Sequence, residues 1–188
     1  LEAGVGEILN VGYDESTIDG TLRLADAHGS IWAAVGIHPH NAADWDERLE
    51  EKVKQLVLRR KVLAVGEIGL DYYRDISPRE VQRDVFRRQI GLALYFGKPI
   101  IVHCRDAFDD VIRILREEGA DRAGGIFHAF SGGEREAEAV LGLGFLVGIG
   151  GPLTYPKSKL PAVAGILPSG SFVLETDSPY LPPQRHRG

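Results

Sequence analysis

Short apolar, β-branched runs alternate with amphipathic stretches along the whole of this chain. Runs at 5–11, 31–37, 62–67, 99–103, 124–128, 145–149 and 171–177 have the length and composition of buried strands. The segments between them read as helices with start and stop signals. Ser77-Pro78-Arg79-Glu80 reads as a capping box with proline at the first helical position, and Gly97 stands where that helix should end. Asp106 with Asp109 opens a second pattern, which carries Val111, Ile112 and Leu115 on one face and stops near Gly119. Asp44 with Glu47 begins a third, with Leu49, Val53, Leu56 and Val57 as its buried stripe. No repeat, low-complexity tract or linker interrupts the series, so one domain over residues 1–188 is expected.

Strict alternation of strand and helix predicts a parallel sheet with helices outside it. Five of the strand runs end in, or are followed at once by, a residue that can bind a cation: His38, Glu67, His103, His128 and Asp177. Parallel β/α barrels carry out their chemistry at the carboxyl ends of the strands, and a ring lets ligands spread along the sequence converge there. An open doubly wound sheet gathers its site mainly at one switch point instead. The expected fold is therefore α/β, a (β/α)8 TIM-type barrel. A full barrel has eight strands and about 250 residues, so the seven runs are read as strands two to eight, with the first strand and the last helix missing. The sequence has no methionine, starts at Leu1 and stops at Gly188, which fits a piece of a longer protein.

Composition narrows the partners. The net charge of −5 excludes a broad cationic field for gripping duplex DNA, so a nucleic acid substrate would be held locally by metal ions and a few arginines. No apolar run approaches the ~20 residues of a membrane span, so no membrane role is expected. The single Cys104 rules out a disulfide framework and fits a reducing cytoplasm.

Several positions carry candidate chemistry. Alternation along Leu174-Glu175-Thr176-Asp177 puts both carboxylates on one face, where cations or donors must compensate their repulsion. Asp177 also reads as a helix cap before Ser178-Pro179, although capping leaves Glu175 unexplained. His103 ends an apolar strand as a neutral imidazole suited to a divalent metal, the alternative being a core histidine bonded to a carbonyl. Arg105 could clamp a phosphate through its planar fork, or form a solvated ion pair. Asp106 reads as a helix cap and Cys104 as a small buried hydrophobe facing away from the lumen. His128 repeats the strand-end pattern, and Ser131-Gly132-Gly133 after it offers backbone N–H groups that suit an anion.

Glycines at 66 and 69 flank Glu67, whose carboxylate could bridge two cations. Asp71 reads as holding the following loop together, with Tyr72 and Tyr73 packed under it. His38 belongs to the substrate pocket or the layer behind the ligands, His40 to the structure, and His28 to a solvated helix end. His186, between Arg185 and Arg187, reads as a mobile tail.

Five segments occur in an order that resembles the TatD family of metal-dependent deoxyribonucleases, among the amidohydrolase-like barrels. They are Gly36-Ile37-His38-Pro39-His40, Val65-Gly66-Glu67-Ile68-Gly69-Leu70-Asp71-Tyr72, Val102-His103-Cys104-Arg105-Asp106-Ala107, Phe127-His128-Ala129-Phe130-Ser131-Gly132 and Glu175-Thr176-Asp177-Ser178-Pro179-Tyr180-Leu181. The resemblance spans essentially the whole chain. It implies that Glu67 bridges two divalent cations (Mg, Mn or Zn), that His103, His128 and Asp177 ligate them, and that the activity is phosphodiester hydrolysis, often as a 3′-to-5′ exonuclease. Family members begin with a His-x-His pair on the first barrel strand, and this chain has no such pair at that place. The run at 5–11 corresponds to the second strand, so the stretch as written is expected to be weakly active or inactive.

The expected chemistry is metal-assisted cleavage of single-stranded or end-exposed DNA, in which two cations polarise the phosphoryl group and lower the pKa of bound water toward about 7. Asp177 would take the proton, while Arg105 and the Ser131–Gly132 amides hold the phosphate. A metal-dependent aminoacyl-tRNA deacylase or another ester or amide hydrolase of the same superfamily would use the same metals with a different pocket. A carbamylated-lysine amidohydrolase would need lysine at position 67. A non-catalytic scaffold that has lost its metals is the rival from another class.

Overall fold

The seven apolar runs become seven strands of one sheet, ordered as in the sequence. They are β1 (Ile8–Gly12), β2 (Ile31–Val35), β3 (Val62–Asp71), β4 (Ile100–Arg105), β5 (Gly125–Phe127), β6 (Phe145–Ile149) and β7 (Phe172–Leu174). The structure, a computed structural model, describes residues 4–187. Each strand pairs in parallel with the next. Parallel neighbours need a crossover, supplied by α1 (Glu15–Ala27), α2 (Glu47–Val57), α3 (Arg79–Phe96), α4 (Phe108–Glu117), α5 (Glu134–Leu141) and α6 (Leu160–Ile166). The product is a curled partial barrel of the TIM type, with β1 and β7 as its edge strands.

Strand alternation divides the apolar side chains into two layers. The outer layer packs Val35, Val65, Val102, Phe127 and Val147 of the sheet against Ile18, Val53, Phe86, Leu115 and Val140 of the helices. The inner layer, facing the lumen, is small: Ala34, Ala64 and Ile101, with Leu9 and Val11 against them. Full burial of a side chain such as Phe86, Phe127 or Phe145 stabilises by about 1.5–3 kcal/mol. The outer layer therefore holds most of the fold together. In β4 the same alternation sends Val102 and Cys104 toward the helices and leaves Ile101 and His103 on the lumen side.

Three helix starts differ from their sequence reading. Pro78 is itself the N-cap of α3, without a side-chain bond, because the Ser77 hydroxyl is engaged elsewhere: it donates to the His40 carbonyl and accepts from Ala43 N. Asp106 does not cap α4, whose N-cap is Ala107; Asp106 instead takes a left-handed conformation (φ 52°) in the turn out of β4. Asp44 closes a 3-10 turn, and Asp46 caps α2 by accepting from Leu49 N at 2.7 Å. The end of α3 is as expected, with Gly97 in the left-handed conformation. No helix among the described residues is long and apolar enough to cross a membrane.

Candidate metal centre

The carboxyl ends of β2, β3, β4, β5 and β7 bring the candidate side chains to one mouth. β3 continues four residues beyond its expected end at Glu67, with a register shift between Val65 and Ile68 against β4. Such a bulge re-aims a side chain, and here the re-aimed residue is Glu67. Two glycines make the close approach possible. A Cβ on Gly66 (φ +156°) would lie 2.6 Å from Ile101 Cβ, and one on Gly69 (φ +149°) would collide with the His103 carbonyl. No side chain fits either place.

His103 lies at the centre of the first cluster. Its Nδ1 meets Glu67 Oε1 at 2.7 Å and its Nε2 meets Asp71 Oδ2 at 3.2 Å. Burial pulls its pKa down, but the Asp71 and Glu67 hydrogen bonds prevail and raise it to about 9. Burial pushes Glu67 up, yet the His103 bond and the nearby charge of His128 hold it at about 2. Asp71 is wholly buried. One of its oxygens accepts from the Tyr73 and Arg74 amides at 3.0 and 2.8 Å, and the other meets both His103 and His40, the latter at 2.8 Å. Burial opposes its ionisation and these bonds, led by His103, overcome that, leaving its pKa below the usual range. Asp71 thus holds its loop, as the sequence suggested, and also orients His103, which the sequence reading missed. The signal was available, because Glu67, Gly69 and Asp71 alternate along one strand.

Two buried glutamines of α3, seven residues apart on one helix face, fix the strand ends and also escaped the sequence reading. Gln82 accepts from Asp71 N at 2.9 Å, and Gln89 accepts from Ile37 N at 2.8 Å while donating to the Ile37 carbonyl.

The second cluster belongs to β5 and β7. His128 Nδ1 meets Glu175 Oε2 at 2.8 Å, and its Nε2 lies 3.5 Å from Asp177 Oδ1. The other Glu175 oxygen accepts from Ala129 N at 2.7 Å. Gly148 clears the space for this carboxylate, since a Cβ there would stand 2.5 Å from Glu175 Oε2. Burial pulls the His128 pKa down, but the bonds to Asp177 and Glu175 raise it to about 11. Asp177 does not start a helix; it accepts in a turn from Tyr180 N at 2.7 Å.

Could these residues hold a cation? Proximity alone groups His38 Nε2, Glu67 Oε1 and His103 Nδ1, all within 4.8 Å of one another. Proton placement separates His38 from the other two. Its Nδ1 accepts from His40 N at 3.1 Å, so the neutral ring carries its proton on Nε2 and presents a donor to the mouth, not a lone pair. Neutral it is: burial, then the His103 charge, lowers its pKa to about 3. His103 and His128 have the opposite arrangement. Each gives one nitrogen to a carboxylate, Asp71 or Glu175, and turns the other toward Glu67 or Asp177. A carboxylate behind an imidazole is the usual support of a metal-ligating histidine. Two such imidazoles with two carboxylates suit divalent cations.

The remaining candidates lie around this centre. Arg105, two residues beyond His103, has its guanidinium 3.9 Å over the Tyr73 ring and makes no ion pair among the described residues. Tyr72 is partly buried against the core and bonds Asp110 through its hydroxyl at 2.7 Å, whereas Tyr73 is exposed and does not pack under the Asp71 loop. Ser131 and Gly132 line a pocket with His128, Phe130 and Lys159. The Gly133 amide is not free, as it donates to Glu136 Oε2 at 2.8 Å. Cys104 is half-buried against the outer core, and burial pushes its thiol up to about 12. His28 is the exposed C-cap of α1, and exposed His186 accepts from Arg185 Nε at 2.9 Å.

Comparison with known proteins shows the family to which the chain is similar. A family model described as TatD related DNase matches residues 1–188. The chain is 42% identical over 185 residues to an uncharacterized metal-dependent hydrolase of Bacillus subtilis, YabD, covering 98% of this chain and 72% of that protein. It is 34% identical over 185 residues to the 3′-5′ ssDNA/RNA exonuclease TatD of a Rahnella species, covering 97% and 70%. The crystal structure of YJJV, a TatD homologue of Escherichia coli, superposes with a TM-score of 0.92 at 36% identity, covering 100% of this chain and 73% of that one.

Proposed function

This chain belongs to the TatD-related family of metal-dependent hydrolases, and we propose that the full-length protein removes nucleotides from the 3′ end of single-stranded or end-exposed DNA. The carrying observation is the pair of carboxylate-backed imidazoles, His103 on Asp71 and His128 on Glu175, whose other nitrogens face Glu67 and Asp177. Glu67, His103, His128 and Asp177 would hold two divalent cations, Mg, Mn or Zn. When bound, these supply Lewis-acid polarisation of the phosphoryl group and a lowered pKa for water.

The chain's own residues do the rest. Asp177, less buried than Glu67, is placed at the mouth to take the proton of the attacking water. His38 donates from Nε2 to a phosphate oxygen, its orientation set by the His40 amide. Arg105 supplies further donors on the outer side, and Ser131 lines the adjoining pocket. A net charge of −5 suits attack on exposed ends rather than tight duplex binding. Relatives named 3′-5′ ssDNA/RNA exonuclease support the polarity and the substrate class.

The test is a 5′-labelled single strand incubated with the purified protein, with and without chelator. Stepwise shortening should stop on chelation and resume when Mg, Mn or Zn is returned. Cleavage that persists after metal removal overturns this reading.

A further inference from the structure

The turn after β3 and the end of β4 each carry one more side chain beyond the metal centre, Tyr73 and Arg105, and the two meet. Asp71 and Arg105 are register partners, so the chain positions just past His103 and Asp71 lie side by side at the mouth. The Tyr73 amide is fixed by Asp71 Oδ1 at 3.0 Å, while the other oxygen of that carboxylate touches His103. The backbone that carries the ring is thereby held at a set place relative to the site. Arg105 lies over it, with the guanidinium carbon 3.9 Å from the ring centroid. Even so, 59% of Tyr73 is exposed. Tyr73 is thus a ring on a turn whose backbone the site's own carboxylate fixes, covered by a guanidinium that makes no ion pair among the described residues, and otherwise open to solvent.

Resting on the nuclease reading above, we propose that Tyr73 and Arg105 form a stacking platform for a nucleobase of a single-stranded substrate, next to the scissile phosphate. Every base has a π-face, so stacking on a tyrosine–arginine pair tolerates any sequence. The stack also leaves the guanidinium's edge donors free for the flanking phosphate. A duplex end would have to unstack its terminal base to use the platform. This gives the site a preference for single strands that the cation ligands alone do not provide.

The experiment is fluorescence anisotropy on the metal-loaded protein with an uncleavable phosphorothioate oligothymidylate and its abasic counterpart. The wild-type protein should bind the base-bearing strand roughly 5- to 100-fold more tightly, the effect of losing one stacked base. Tyr73→Ala should bring that ratio close to one, and Tyr73→Trp should restore it. An unchanged ratio in Tyr73→Ala, or no preference in the wild type, overturns the proposal. Retained preference in a protein that cleaves no strand would sink the nuclease reading and leave the platform standing.

Discussion

At the scale of single residues, the decisive quantity is which ring nitrogen of each histidine is already in use. Asp71→Asn tests this directly, because the amide oxygen can still accept from Tyr73 and Arg74 while the charge behind His103 is lost. Such support is commonly worth 10–100-fold in metal affinity, so calorimetric titration of Asp71→Asn should show a loss of about that size. An affinity equal to wild type would show that Asp71 serves the loop alone. His38 gives the complementary case. Its donor orientation predicts that His38→Leu keeps its metal content while kcat falls by roughly 10²- to 10³-fold, as for a lost oxyanion donor. Metal lost together with activity would make His38 a ligand. The strand-end position of each histidine was legible in the sequence. Its proton was not, because that depends on His40, Asp71 and Glu175, which only the fold brings near.

At the scale of elements, the two glycines beside Glu67 explain why β3 was read as too short. Glycine after an apolar run ordinarily signals a turn, yet Gly66 and Gly69 sit inside the strand to admit β4. Substitutions should separate the two uses of glycine. Gly69→Ala would drive a Cβ into the His103 carbonyl at a φ of +149°, and should destabilise on the order of 3 kcal/mol. Gly91, exposed within α3 with no atom within 4 Å of a Cβ, should instead gain about 0.4–1 kcal/mol as alanine. Urea denaturation of both variants checks the pair, and a tolerated Gly69→Ala would refute the close-approach account. The misread caps share one cause. Ser77 and Asp106 have the right residue types, but the hydroxyl of one goes to the His40 loop and the backbone of the other turns left-handed. The apolar periodicity survived because burial on the outer layer dominates the energy.

At the scale of the whole molecule, the centre draws its side chains from strands spread across the sheet, from Glu67 of β3 to Asp177 just after β7. A bound cation therefore ties distant parts of the chain together and should stabilise the whole fold. At a hundredfold excess over the dissociation constant the linkage is about 2.7 kcal/mol, which for a chain of 150–250 residues raises Tm by roughly 5–10 °C. The sign of the pH dependence follows from the imidazoles. In the metal-free chain His103 and His128 are raised to about 9 and about 11, above their unfolded value of 6.5. Their contribution is fully present below pH 6.5 and is lost as pH rises through those folded values. With His103 and His128 as the proposed ligands, both rings must be unprotonated at the nitrogens that face Glu67 and Asp177, so metal uptake at neutral pH would release protons. The gain in Tm on adding Mn should accordingly grow between pH 6.5 and 9, measured by differential scanning calorimetry against a chelated control. A gain independent of pH over that range would mean that the cation binds without displacing the protons of His103 and His128, and the two-imidazole centre would have to be abandoned.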